Sequence, residues 1–114
     1  MADDDYCYLT TTGRVSGQPH EIEIWYERDG DTVFLLAGAG HASDWVRNLV
    51  ADDAVTVRFG SDPEVRRFRA RVLDDDTDES ANARRLVFDK YQGRGGGDLS
   101  GWRVAALPVA LDPA

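Results

Sequence analysis

Residues 9–20 gather three threonines, an arginine, a serine and a histidine around two glycines: Leu9-Thr10-Thr11-Thr12-Gly13-Arg14-Val15-Ser16-Gly17-Gln18-Pro19-His20. Hydroxyls donate hydrogen bonds to oxygen, and arginine adds a permanent charge on a planar fork that matches phosphate or carboxylate. Glycine lets backbone approach a ligand closely. That chemistry suits an anion or an oxygen-rich ligand. The same residue types are also common in ordinary turns, so both readings stand at this level. A second segment, Gly38-Ala39-Gly40-His41-Ala42-Ser43-Asp44-Trp45-Val46-Arg47-Asn48-Leu49, breaks a strand and opens a helix. A helix start offers unpaired backbone N–H groups and a positive dipole end. Together the two segments could cradle a phosphate or a flavin-like ring.

Other chemistries find no support. There are two histidines, His20 and His41, and no Gly-x-Ser-x-Gly elbow, so a hydrolase triad fails. Nothing in the spacing of those histidines and the carboxylates demands a metal, and one cysteine makes no zinc site. Gly38-Ala39-Gly40 lacks the third glycine of a dinucleotide fingerprint. The net charge of −8 argues against nucleic acid or an anionic membrane as partner. Lys90 is the only lysine, so arginine carries nearly all the positive charge; codon bias accounts for that as readily as ligand binding. Cys7 reads as a small apolar strand residue. The acidic start, without an apolar run, is not a signal peptide, and no stretch reaches transmembrane length, so a cytoplasmic protein is expected.

The 114 residues are expected to form one domain, 1–114, with ordinary globular composition. Residues 6–12 read as a strand and 13–19 as its turn. Residues 20–27 alternate, with Ile22, Ile24 and Tyr26 on one side and Glu21, Glu23 and Trp25 on the other, as in a half-buried antiparallel strand. Asp29-Gly30 marks a hairpin into a strand at 32–37. A short helix runs from Ala42 or Ser43 to Val50, with Ser43 as N-cap and Trp45, Val46 and Leu49 as its apolar stripe. Strands follow at 54–60 and 64–73, the latter with a possible bulge. A helix covers 78–91 on the spacing of Ala83, Leu86, Val87 and Tyr91. A glycine-rich break at 93–97 precedes a last strand at 102–111, where Pro108 suggests an edge position or a bulge. Trp102 opens that strand. The tally points to a mainly β (α+β) antiparallel barrel with two covering helices.

The run Leu9-Thr10-Thr11-Thr12-Gly13-Arg14-x-Ser16-Gly17-Gln18-Pro19 resembles a signature of the deazaflavin-dependent nitroreductase and quinone reductase family. Trp45-x-x-Asn48-Leu49, the strand after it, and the ending from Tyr91-Gln92 to Leu107-Pro108-Val109 resemble the same family. The resemblance covers nearly the whole chain. It implies a split β-barrel of the FMN-binding, pyridoxamine phosphate oxidase-like type, found chiefly in actinobacteria. It also implies coenzyme F-420, an 8-hydroxy-5-deazaflavin, as hydride donor to a quinone, a nitro compound or an activated enone. The loop of Thr11, Thr12, Gly13, Arg14, Ser16, Gly17 and His20 would hold the phosphate region. Gly38, Gly40, His41, Asp44, Trp45, Arg47 and Asn48 would lie toward the ring. Trp25, Tyr91 and Trp102 would line the acceptor side, with Arg14, Asn48 or Tyr91 stabilising developing negative charge.

Two departures from the family pattern matter. Relatives often carry Lys where this chain has Val15 and Arg where it has His20. A lost charge-assisted contact costs about 1.5–3 kcal/mol; Arg14 and Arg47 could compensate. The alternatives are FMN as the cofactor, or a barrel that binds deazaflavin, flavin, haem or lipid without turnover. A homodimer is compatible with each.

Overall fold

Strand β1, Cys7–Thr12, alternates between a buried face (Cys7, Leu9, Thr11) and a half-buried one (Tyr8, Thr10, Thr12), as the period of two requires. The computed structural model describes residues 6–74, 76–92 and 106–114. β1 pairs on one side with β2, Pro19–Ile24, and on the other with β5, Ala54–Phe59. β5 pairs with β6, Arg66–Val72, then β6 with β7, Leu107–Pro113. β7 pairs with β4, Thr32–Ala37, and β4 with β3, Glu27–Asp29, across the Gly30 turn, where φ is 61°. All pairings are antiparallel in one seven-stranded sheet of order β2-β1-β5-β6-β7-β4-β3.

The two edge strands, β2 and β3, are joined by Trp25 and Tyr26 alone. A two-residue link spans only about 10 Å. The sheet therefore curls until its edges nearly meet, giving a split antiparallel barrel. Sequence alternation suggested one strand over 20–27. The structure breaks it at Trp25, because β2 follows β1 and β3 turns away to pair with β4.

β4 and β7 are apolar on both faces, and the structure shows why. Val33, Leu35, Val109 and Leu111 point into the barrel core with Leu9, Val57 and Phe68. Phe34, Leu36 and Ala110 point outward under the long helix α2, Asp78–Gln92. That helix buries Ala83, Val87 and Tyr91, one stripe at four-residue spacing. The short helix α1, Asp44–Ala51, packs on β1 and β6 and buries Val46, Asn48 and Leu49. Trp45 is half-buried against the barrel core.

Pro108 lies in a central strand, not at an edge or a bulge. Its carbonyl accepts from Leu73 N at 3.0 Å, just past the end of β6. Its missing N–H faces the same residue, so only one bond is forgone, at the last rung before the chain leaves β6. β6 pairs in continuous register with β5 from Ala54–Arg69 to Val57–Arg66, so the alternation needs no bulge there. Val65 precedes the strand and is exposed. Trp102 and the glycine-rich break lie outside the described residues. Among the described residues no helix is long and apolar enough to cross a membrane. Cys7 is fully buried, and desolvation pushes its thiol up to about 12, against a smaller opposing pull from Lys90. It packs as a core residue.

Arg71 on β6 ties the sheet to α2. It donates to both Glu79 carboxylate oxygens at 2.9 and 2.8 Å and to Asp112 on β7 at 2.6 and 3.2 Å. Hydrogen bonds from Arg71 hold the carboxyls of Glu79 and Asp112 below their ordinary values. A depressed folded pKa gives stability that is present above the unfolded value, about 4, and is lost as pH falls through the folded value. These side chains are more than a third exposed, so the contribution is screened to about 1 kcal/mol. Arg71→Met should therefore lower Tm at pH 7, and the difference from the native chain should shrink as pH falls below about 4. A constant difference from pH 7 to 3 would contradict this account.

Candidate functional site

The loop from Gly13 to Gln18 closes on itself. Gly13 N donates to Gln18 O at 2.8 Å and Gly17 N to Gly13 O at 2.9 Å, with Gly17 at φ 71°. Ser16 Oγ accepts from Gln18 N at 3.1 Å and lies 3.4 Å from His20 Nε2. Gly13 has no room for a side chain: a Cβ there would sit 2.6 Å from His20 Nε2 and 2.7 Å from Ser16 Oγ. Both obstructing atoms end exposed side chains that can swing away. Gly13→Ala should therefore cost only about 1 kcal/mol of stability. It should displace the His20 ring, read as a changed His20 imidazole signal by NMR; an unmoved ring would refute the packing.

What fixes the loop in space is Asn48, 5% exposed on α1. Its Oδ1 accepts from Arg14 N at 3.2 Å and from Arg14 Nη1 at 2.8 Å, while its Nδ2 donates to Thr11 Oγ1 at 3.2 Å. One buried amide thus joins strand, loop and helix. Arg14 is held further by the first turn of α1: Nη2 lies 3.3 Å from Asp44 Oδ1, and Nη1 lies 3.4 Å from the Asp44 carbonyl. Ser43 has the extended backbone of an N-cap, but its hydroxyl makes no capping bond.

These contacts bound a cleft of about 460 Å³. Thr11, Gly13, Arg14, Ser16 and His20 line it from the loop side, and Asp44, Trp45 and Asn48 from the helix. Val15, singled out in the sequence as a departure from the family pattern, lines it too, as do Glu21 and Ile22, which sequence reasoning did not name for the site. Strand alternation could have flagged Ile22, which shares the face of His20. Arg14 there faces one carboxylate, Asp44, at 3.3 Å, while the register pairs Glu21 with Thr10 and turns its side chain to the other face of β2.

Other sequence candidates fall elsewhere. Thr12 lines a separate cleft of about 420 Å³ beside Thr10, Thr56, Arg67 and Arg69, because alternation along β1 turns it away from Thr11. Gly17, Gly38, Gly40, His41 and Arg47 are not on the lining of the Arg14 cleft. Gly38 and Gly40 shape the turn after β4, with Gly40 at φ 59°, and His41 and Arg47 are exposed.

Tyr91 and Trp25 sit at the corner between β2 and β3, off that lining. Their rings stack at 4.3 Å and 5°. Tyr91 is 2% exposed; its hydroxyl accepts from Tyr26 N and donates to Tyr26 O, both at 3.0 Å. Burial raises its pKa above the ordinary tyrosine value. Lys90 Nζ also donates to Tyr26 O, at 2.8 Å. Here the Tyr91 side chain holds backbone and the Asn48 side chain holds the loop. Trp25, 39% exposed, is the one partly open member of the corner pair.

The cleft gathers a guanidinium already held in place with hydroxyl and imidazole groups, a donor set of the kind a phosphate takes. Comparison with known proteins extends this. An F-420-H2-dependent reductase superposes with TM-score 0.71 at 20% identity, over 93% of this chain and 91% of that one. A protein described as a domain-swapped dimer also gives 0.71 at 20%, over 93% and 78%. An FAD-binding protein from Mesorhizobium loti gives 0.70 at 12%, over 98% and 81%. These likenesses establish the split-barrel fold. The profile of the F-420-H(2)-dependent quinone reductases matches residues 1–99, and the chain belongs to that family of oxidoreductases.

Proposed function

We propose that this protein takes reduced coenzyme F-420 in the Arg14 cleft and reduces a small acceptor, such as a quinone, a nitro compound or an activated enone. When bound, the cofactor supplies the hydride. The observation that carries the reading is the anchored loop: Asn48 fixes Arg14 at both backbone and guanidinium, so the charge stands in place before a ligand arrives. Preorganisation of this kind lowers the ordering cost of binding. Ser16 and His20 would add donors to the phosphate region, and Trp45 an apolar wall. The two core clusters share β4 and β7, which supports treating residues 1–114 as one domain. Pairing of two chains is part of the proposal, suggested by the domain-swapped neighbour and decided by light scattering.

The test is a titration of the protein with oxidised F-420 and, separately, FMN, followed by tryptophan fluorescence. Trp45 on the cleft wall provides the signal. Binding of F-420 in the micromolar range, with FMN much weaker, is expected. Oxidation of the reduced cofactor by a quinone, seen as returning deazaflavin absorbance, would complete the assignment. Binding of FMN alone would move the protein to flavin chemistry, and binding of neither would remove the cofactor role.

A further inference from the structure

We propose that Asp44 lowers the affinity of this cleft for negative charge, most for a dianionic phosphomonoester such as that of FMN and less for a singly charged phosphodiester. The inference rests on the reading that the cleft takes an anionic cofactor. Arg14 is the one arginine on the lining among the described residues, and its guanidinium is shared: Nη2 is 3.3 Å from Asp44 Oδ1, and Nη1 is 2.8 Å from Asn48 Oδ1. A ligand oxygen reaching Arg14 therefore arrives beside the Asp44 carboxylate. Repulsion grows with ligand charge, so a phosphate carrying two charges meets about twice the penalty of one carrying a single charge.

The effect is graded because Asp44 is open to water. Its side chain is 85% exposed and that of Arg14 31%, so the pair is screened and Arg14 can turn toward a ligand. Asp44 lies at the first position of α1, while the loop itself hangs on Asn48. Asp44→Asn therefore changes the charge of the cleft and leaves the anchoring amide intact.

The experiment keeps one ring and varies the phosphate. Dissociation constants are measured by tryptophan quenching for the phosphate-free deazaflavin riboside, its 5′-phosphomonoester, the methyl diester of that phosphate and F-420, on the native chain and on Asp44→Asn. Circular dichroism checks that the variant is folded, and Asp44→Ser serves as a second neutral replacement. Asp44→Asn should tighten the monoester about tenfold and the methyl diester about threefold, with no change for the riboside. Raising the salt should shrink both gains. Equal gains for monoester and methyl diester, or no gain for either, would overturn the role of Asp44 while leaving F-420 binding in place. F-420 binding to neither chain would overturn the reading of the cleft, and this inference with it.

Discussion

Tyr91→Ala is expected to destabilise the protein by about 3–5 kcal/mol, more than truncation of Asn48 or Arg14. The ring is 2% exposed at the end of α2, so its removal leaves a cavity against Ala83, Val87 and the β4 face. The stack on Trp25 goes with it, worth about 0.5–1.5 kcal/mol beyond area. The hydroxyl goes as well, and with it the acceptor for Tyr26 N and a donor to Tyr26 O. Tyr91→Phe isolates that last part and should cost about 1–3 kcal/mol. Tyr26 lies in the link between the two sheet edges, so these bonds hold the corner where the barrel closes. Denaturant unfolding of both variants measures the difference. Tyr91→Phe as stable as the native chain would show that the hydroxyl does not hold the corner.

Asn48→Ala should combine a loss of about 2–3 kcal/mol in stability with at least a tenfold loss in F-420 affinity. The amide serves Arg14 N, Arg14 Nη1 and Thr11 Oγ1 together, and it is buried. Alanine leaves those groups without their partner, in a place where unpaired polar groups are costly. The loop then samples many positions, and a ligand has to order it on binding. A second variant, Arg14→Ala, separates the two effects. It should weaken F-420 by a similar factor with under about 1 kcal/mol of stability lost, since Arg14 is partly exposed. Normal F-420 binding by Asn48→Ala would show that the anchor does not set affinity.

The local signals in this sequence carried far. Asp29-Gly30 fixed a hairpin because a positive φ suits glycine, and the structure gives Gly30 φ 61°. The strand at the front, both helices and the polar glycine loop were legible because each is governed by neighbours a few residues away. The pairing of that loop with the start of α1 was anticipated from donor chemistry and from the family motifs. Asn48 was singled out, yet its role was not: a buried amide serving Arg14 and Thr11 looks, in sequence, like any motif asparagine. Glu21 and Ile22 escaped notice because cleft lining depends on which face of β2 turns toward α1.

Alternation by itself also joined residues 20–27 into one strand, since it reports which side is apolar and not which neighbour a strand pairs with. That choice belongs to the sheet order, in which β2 and β3 lie at opposite edges and Trp25-Tyr26 closes the barrel. Pro108 is the same lesson in reverse. A proline rule about missing donors predicted an edge, and a central strand accommodates it because only one bond is forgone, at the last rung before the chain leaves β6. Sequence determined the elements, the donor-rich loop and the family, because propensity, turn chemistry and motif spacing are local. Tertiary structure alone decided that the sheet closes at Tyr26, that Tyr91 holds backbone there, and that Asp44 shares Arg14, because each depends on groups brought together by long-range pairing.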